Sequence, residues 1–220
     1  MLKLIQTSIV LLLFLSSLIY SQGSSLYEFE SAYAEKTTDT NTSGIMIKTS
    51  EKIYINDGGN LVRREVEQEQ TISQLNQTIN SRSISITDNE YIITWDPETN
   101  TGTRMKNPFA DAFQDMTEEQ AQQFGQDMAD AMGTEITEVG TGEVAGVTCN
   151  ITKAVTNMMG MEITTTTWNY KNFLMKSESD GAVTSNEVVT LFNEGADNDP
   201  GLFIPDDNVD ITDIGSPLGN

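Results

Sequence analysis

Apolar and polar positions alternate at period two along much of this chain, the pattern of half-buried strands. Tyr27-Glu28-Phe29-Glu30-Ser31-Ala32-Tyr33 places its aromatics at odd positions. Ile45-Met46-Ile47 and Ile53-Tyr54-Ile55 are short apolar runs, and Asn56-Asp57-Gly58-Gly59-Asn60 is a strong turn signal. Leu61 to Gln70 reads as a polar, charged strand. Ser83-Ile84-Ser85-Ile86 alternates, Asp88-Asn89 turns, and Tyr91-Ile92-Ile93-Thr94-Trp95 is rich in strand formers. Asp96 to Gly102 predicts a hairpin loop, from which Thr103 to Lys106 returns.

The period changes in the middle. Pro108 to Met132 is rich in Ala, Gln, Glu and Met, which favour helix. Phe109 and Phe113 are four apart. Thr117-Glu118-Glu119-Gln120 reads as a capping box, with Thr117 at the N-cap. Ala121, Phe124, Met128 and Met132 mark one apolar face at helical spacing, and Gly133 predicts the stop. The segment is one helix, or two in tandem with a break near Met116. Its apolar face needs a partner, and the sheet is the obvious one.

Strands resume at Val144 to Val155, Met161 to Tyr170, Phe173 to Glu178 and Glu187 to Phe192, with a turn at Asp180-Gly181. Short connections between consecutive strands imply an antiparallel meander. Leu202-Phe203-Ile204-Pro205 reads as the end of the ordered part, and the acidic tail from Asp206 as loosely held.

The first residues follow another logic. Met1-Leu2-Lys3 is a short positive start, Leu4 to Tyr20 is mostly apolar, and Ser21-Gln22-Gly23-Ser24-Ser25 is small and polar. This is the layout of a cleavable secretory signal peptide. The expectation is a signal over residues 1–21, one domain over 22–210 and a flexible acidic tail over 211–220. The mature chain is expected in the periplasm or secreted, with no stable membrane anchor.

Composition narrows the chemistry. The net charge of −21 argues against nucleic acid and anionic membrane surfaces, and suits a solvated acidic shell. The chain has no histidine, which removes Ser-His-Asp and Cys-His nucleophilic machinery. The lone Cys149 has no partner for an intrachain disulfide and reads as a small buried hydrophobe. With one cysteine and no histidine, zinc is disfavoured. There is no phosphate-binding glycine loop. Asp96, Glu98 and Asn100 alternate like the start of a calcium loop, but glycine falls one residue late, at Gly102. The methionines read as core filling, with an adaptable apolar surface or a copper site as the sharper alternatives. Acidic residues are too abundant for any pair to indicate glycoside hydrolysis.

Four local patterns, in order, carry a resemblance. They are Val144-Ala145-Gly146-Val147-Thr148-Cys149, then Thr166-Thr167-Trp168-Asn169-Tyr170 with Leu174-Met175-Lys176-Ser177-Glu178, then Leu202-Phe203-Ile204-Pro205, and the Tyr91 to Pro97 hairpin ending in Asp-Pro. Together they resemble the outer-membrane lipoprotein carrier superfamily, and within it a bacterial exported family of unknown function. Val147 and Leu202 stand where aromatics are common, and no lipid-attachment cysteine is present. The resemblance implies an incomplete β-barrel wrapped around helices, with acyl chains held beneath them in the carriers.

The expectation is therefore an α+β fold: a curved antiparallel sheet, an incomplete barrel, wrapping one or two helices. The expected role is non-catalytic, with no cofactor and no metal. An apolar ligand, a lipid or a lipoprotein acyl chain, would lie in a cavity lined by Phe109, Phe113, Phe124, Met128 and Met132. The alternative is an envelope interaction module with a fully packed core and a protein partner.

Overall fold

Three pairs of consecutive residues with positive φ decide where the chain reverses: Ser43-Gly44 (44°, 87°), Ala145-Gly146 (48°, 82°) and Lys171-Asn172 (47°, 67°). Positive φ at both central positions marks the type I′ turn, whose twist matches the strands it joins. Each pair links two strands in the computed structural model, which describes residues 26–107, 118–158, 161–181 and 183–215.

The first six strands are β1 (Ala32–Thr42), β2 (Ile45–Asn56), β3 (Leu61–Ile72), β4 (Gln77–Thr87), β5 (Tyr91–Asp96) and β6 (Thr101–Lys106). The helix α1 (Glu118–Ala131) follows. Then come β7 (Thr134–Val144), β8 (Val147–Met158), β9 (Met161–Tyr170), β10 (Phe173–Asp180), β11 (Thr184–Glu194) and β12 (Asp210–Asp213). All twelve strands form one open sheet in the order β12-β6-β5-β4-β3-β2-β1-β11-β10-β9-β8-β7. Two antiparallel meanders thus lie side by side, joined where β1 pairs with β11. Only β12 runs parallel to its neighbour, β6. Bulges at Glu35/Lys36, Leu174/Lys176 and Glu138/Gly140 add local twist and bend.

The core forms where the two meanders fold on each other. Ala32, Ala34, Ile53, Ile55 and Val62 from β1–β3 pack with Val144, Cys149, Phe173, Met175 and Val189 from the second meander. The segment before β1 caps this core: Tyr27 stacks on Phe29 at 5.1 Å, and Phe29 meets Phe173 and Phe192 edge-on at 6.1 and 5.7 Å. The Tyr27 N–H donates to the Gly58 oxygen at 2.8 Å, which ties the cap to the β2–β3 turn.

This corrects the expected fold class. The protein is largely β, not an α+β sheet wrapped around helices. Among the described residues one α-helix is present, 14 residues long, and its main neighbour is β7, the strand that follows it. The reason is in the packing: strands supply the core from both meanders, so no described helix is needed to cover it. The curved antiparallel sheet implied by the resemblance is present. No described helix is long and apolar enough to cross a membrane.

Smaller corrections have similar causes. Tyr27 to Glu30 is a series of bends rather than a strand, because its aromatics cap the core end-on. Val144 and Val147 flank a turn, so the Val144–Cys149 pattern is a hairpin rather than one strand. The acidic C-terminal stretch contributes β12, its register running from Asp210 opposite Thr101 to Asp213 opposite Arg104. Gly133 ends the helical segment as expected: its φ is 63°, and its N–H donates to the Asp130 oxygen at 3.0 Å.

Candidate functional site

Register divides the long strands β1–β4 into two chemically opposite faces. On one face the paired rows read Glu35–Lys52–Glu65, Thr37–Ser50–Glu67–Arg82 and Asp39–Lys48–Glu69–Asn80. Lysine lies between two carboxylates in two of these rows, an alternation that stabilises adjacent strands modestly and keeps the face in water. Thr37, Asp39, Lys48, Ser50, Glu67 and Glu69 are all exposed.

The other face carries fewer charges. Its rows read Thr38–Thr49–Gln68 and Thr40–Ile47–Gln70, and all six residues are half-buried. The register carries the band on through β11 to the β7 edge, with Ser185–Ser179–Thr165–Ala154 in one row and Glu187–Ser177–Thr167–Thr152–Glu138 in the next. Hydroxyls bond across strands: Thr40 to Ser185 at 3.0 Å, Thr152 to Thr167 at 2.8 Å, and Thr134 to Thr156 at 2.8 Å. Thr156, Thr167 and Ser177 are buried. A threonine in such a pair offers its methyl to whatever lies on the sheet.

Between this band and the apolar core sits one neutral ion network. Lys36 Nζ is 2.8 Å from both Glu51 and Glu187, and Arg64 Nη1 donates to Glu51 Oε1 at 2.9 Å. Glu51 and Glu187 keep only 8% and 12% side-chain exposure. Burial pushes the Glu51 carboxyl upward, but Arg64 and Lys36 outweigh it and hold the group below the usual carboxylate value. Burial likewise opposes the Arg64 charge, and Glu51 more than compensates. Two cations and two carboxylates cancel, so the shielded face presents no net charge here.

The charged face is partly strapped. Arg63 Nη1 donates to the Leu202 oxygen at 2.8 Å, its Nε to Glu65 at 2.9 Å, and its guanidinium lies 5.6 Å from the Trp95 ring centre. Upstream, the Asn198 amide donates to the Ala32 and Ile55 oxygens at 3.0 Å each. Beside the strap, Glu35, Lys52, Glu65, Glu67, Arg82 and Pro97 line a groove of about 320 Å³. A second groove of about 640 Å³ adjoins it along Asp39, Lys48, Glu69, Asn80 and Glu98. Both are charged, and neither suits an apolar chain.

The predicted lining residues fare unevenly. Phe109 and Phe113 lie outside the described residues, as do Met116 and Thr117. Phe124 and Met128 fall within α1, but their side chains are not among those described. Met132, just past the helix, is half-buried, and Ala129 on the preceding turn is buried. The Lys36–Glu51–Arg64–Glu187 network escapes a reading of the sequence alone, which takes Arg63, Arg64 and Arg104 as surface or strand-edge charges. A signal was available: Lys36 continues the inward series Ala32, Ala34, and Glu51 continues Ile53, Ile55. Arg104 does sit at an exposed edge, where its guanidinium grips Asp213 at 2.6 and 2.9 Å. Asp96 is occupied by its own turn, its Oδ1 accepting from the N–H of Glu98 at 2.7 Å and of Thr99 at 3.3 Å. Cys149 is fully buried, and burial pushes its thiol up, away from the reactive thiolate.

No family profile matches this chain, and no curated protein does. Solved structures resemble it at low identity. An uncharacterized conserved protein from Thermus thermophilus is 8% identical over 85% of this chain and 92% of its own, with a TM-score of 0.48. MucB, in complex with MucA(peri), is 11% identical over 83% of this chain and 56% of its own, with a TM-score of 0.43. LprF from Mycobacterium bovis is 12% identical over 84% and 94%, with a TM-score of 0.36.

Proposed function

We propose that this is a non-catalytic exported binding protein that holds a neutral, largely apolar ligand, a lipid or acyl chain, against the shielded face of its sheet. One observation carries the reading. In a chain of net charge −21, the half-buried face of β1–β3 gathers Thr, Gln and Ile, and its ions Lys36, Glu51 and Arg64 are mutually paired. Burying an unpaired charge beside an apolar ligand would cost several kcal/mol, roughly, so a surface that meets such a ligand must exclude charge. Threonine and isoleucine methyls then supply contact, and the cross-strand hydroxyl pairs leave no polar group stranded. The helical segment carrying Phe124, Met128 and Met132 would close over the ligand.

A second reading has its own support. Ile53, Ile55, Met175 and Cys149 are already fully buried, and the grooves described above are charged. Such a module would act through its surface, with a protein as partner.

Methyl NMR separates the two. With Thr and Ile methyls labelled, titration with a neutral monoacylglycerol should shift Thr38, Ile47, Thr49 and Thr165. Shifts confined to the charged face, or none at saturation, would defeat the binding reading.

A further inference from the structure

The strand β7 is the long open edge of the sheet. It pairs with β8 on one side and, among the described residues, with no strand on the other. An edge of this kind is a template for another strand, because its outward N–H and C=O groups lack ladder partners. Every residue from Glu135 to Thr141 is exposed, and Ile136 and Val139 keep 42% and 57% of their surface in water. Register with β8 is regular from Thr134 to Glu138, before the bulge that ends at Gly140.

Charge decides the occupant. Glu135 and Glu138 are three residues apart, so they project from opposite faces of the strand. Asp127 and Asp130 are exposed on α1, which packs against β7. A second copy of β7 would bring carboxylates and no cation to this edge, which opposes self-pairing. A strand with cations three positions apart would instead meet one carboxylate on each face. The field of a chain at −21 would speed its approach.

We propose that β7 is a docking edge for an extended, cationic segment of a partner protein, added to the sheet as a further strand beside Glu135 and Glu138. The proposal does not rest on the ligand reading above: it needs only the backbone of the β7 edge and the carboxylates of Glu135 and Glu138, the latter opposite Thr152 at the rim of the shielded band.

The test titrates the whole mature chain with a short synthetic peptide of threonine and valine carrying lysines three positions apart. Expected are saturable binding weakened by salt, and new amide-exchange protection confined to β7. A peptide of equal charge with prolines between the lysines should bind at least about tenfold more weakly, because it cannot form the ladder. The variant E135K/E138K, changed at two exposed positions, should lose the lysine peptide by a similar factor and gain its glutamate counterpart. Equal affinity for the proline peptide, an unchanged affinity in E135K/E138K, protection elsewhere, or no binding at low salt would each overturn the proposal.

Discussion

Arg63 and Leu202 lie 139 positions apart in sequence and 2.8 Å apart in space, joined by a hydrogen bond from the guanidinium to the main-chain oxygen. This contact fastens the segment that leads into β12 onto the start of β3. The same guanidinium is bonded to Glu65 and lies over Trp95, and Arg63 is 7% exposed. One buried side chain thus links the C-terminal strap, the charged face and the β5 strand.

Replacing Arg63 with Met should therefore destabilise the fold by about 2 kcal/mol, from a lost charge-assisted hydrogen bond and a lost cation–π contact. Urea unfolding measures it. Amide exchange should also rise at residues 200–213 well before the core opens. Arg63→Lys should recover less than half of the loss, because an ammonium cannot bond Leu202 and Glu65 while lying flat on Trp95. Full recovery by lysine would show that charge alone matters there.

The Glu51 network predicts a pH dependence. Lys36 and Arg64 hold the folded-state value of Glu51 below its ordinary one. The folded state therefore binds this proton less readily than the unfolded chain. The resulting stability is complete above the unfolded value of about 4.3 and fades as pH falls through the lower folded value. Glu51→Gln should lower the stability at pH 7 by about 3 kcal/mol, since two cations lose their shared partner. The same variant should show a shallower loss of melting temperature between pH 5 and pH 2. Parallel curves for both proteins would contradict the assignment.

Gly59 makes a steric prediction. Its φ is +96°, and a Cβ there would meet Tyr27 ring atoms at 2.6 and 2.7 Å. Gly146 has a similar φ of +82° but open space around it. Gly59→Ala should cost more than Gly146→Ala, whose penalty is the left-handed backbone alone, about 1 kcal/mol. The Tyr27–Phe29 stack should loosen only in Gly59→Ala, read as a change in aromatic ring shifts. Equal penalties would mean that Tyr27 gives way freely.

Much of the sheet was legible because its strands alternate strongly. Met161 to Tyr170 and Tyr91 to Trp95 lie where period two and β-branched residues put them. The strand β7 escaped for a physical reason: Thr134 to Val144 is an edge, rich in Glu and Gly, with no buried face to impose alternation. The turn at Ala145-Gly146 was hidden because alanine at φ 48° gives no composition signal. The fold class is hidden because the Phe and Met of residues 109–132 suggest a core helix, whereas the core draws on Phe173, Met175 and Cys149 from strands. The division of charge between faces was present in the sequence, in the alternation of Glu65, Glu67 and Glu69 with Val66, Gln68 and Gln70. It becomes a candidate site only when register aligns those positions with Thr49 and Thr38.

A neutral apolar ligand held on the shielded face, where Lys36 and Arg64 balance Glu51 and Glu187, would stay with the purified protein. Native mass spectrometry of residues 22–220, exported to a bacterial periplasm and purified without detergent, tests it most directly. Discrete lipid-sized adducts that vanish on denaturation, and are absent from a Thr49→Asp variant that still folds, are the predicted result. A clean mass for the wild-type chain, or adducts retained unchanged by Thr49→Asp, would contradict it.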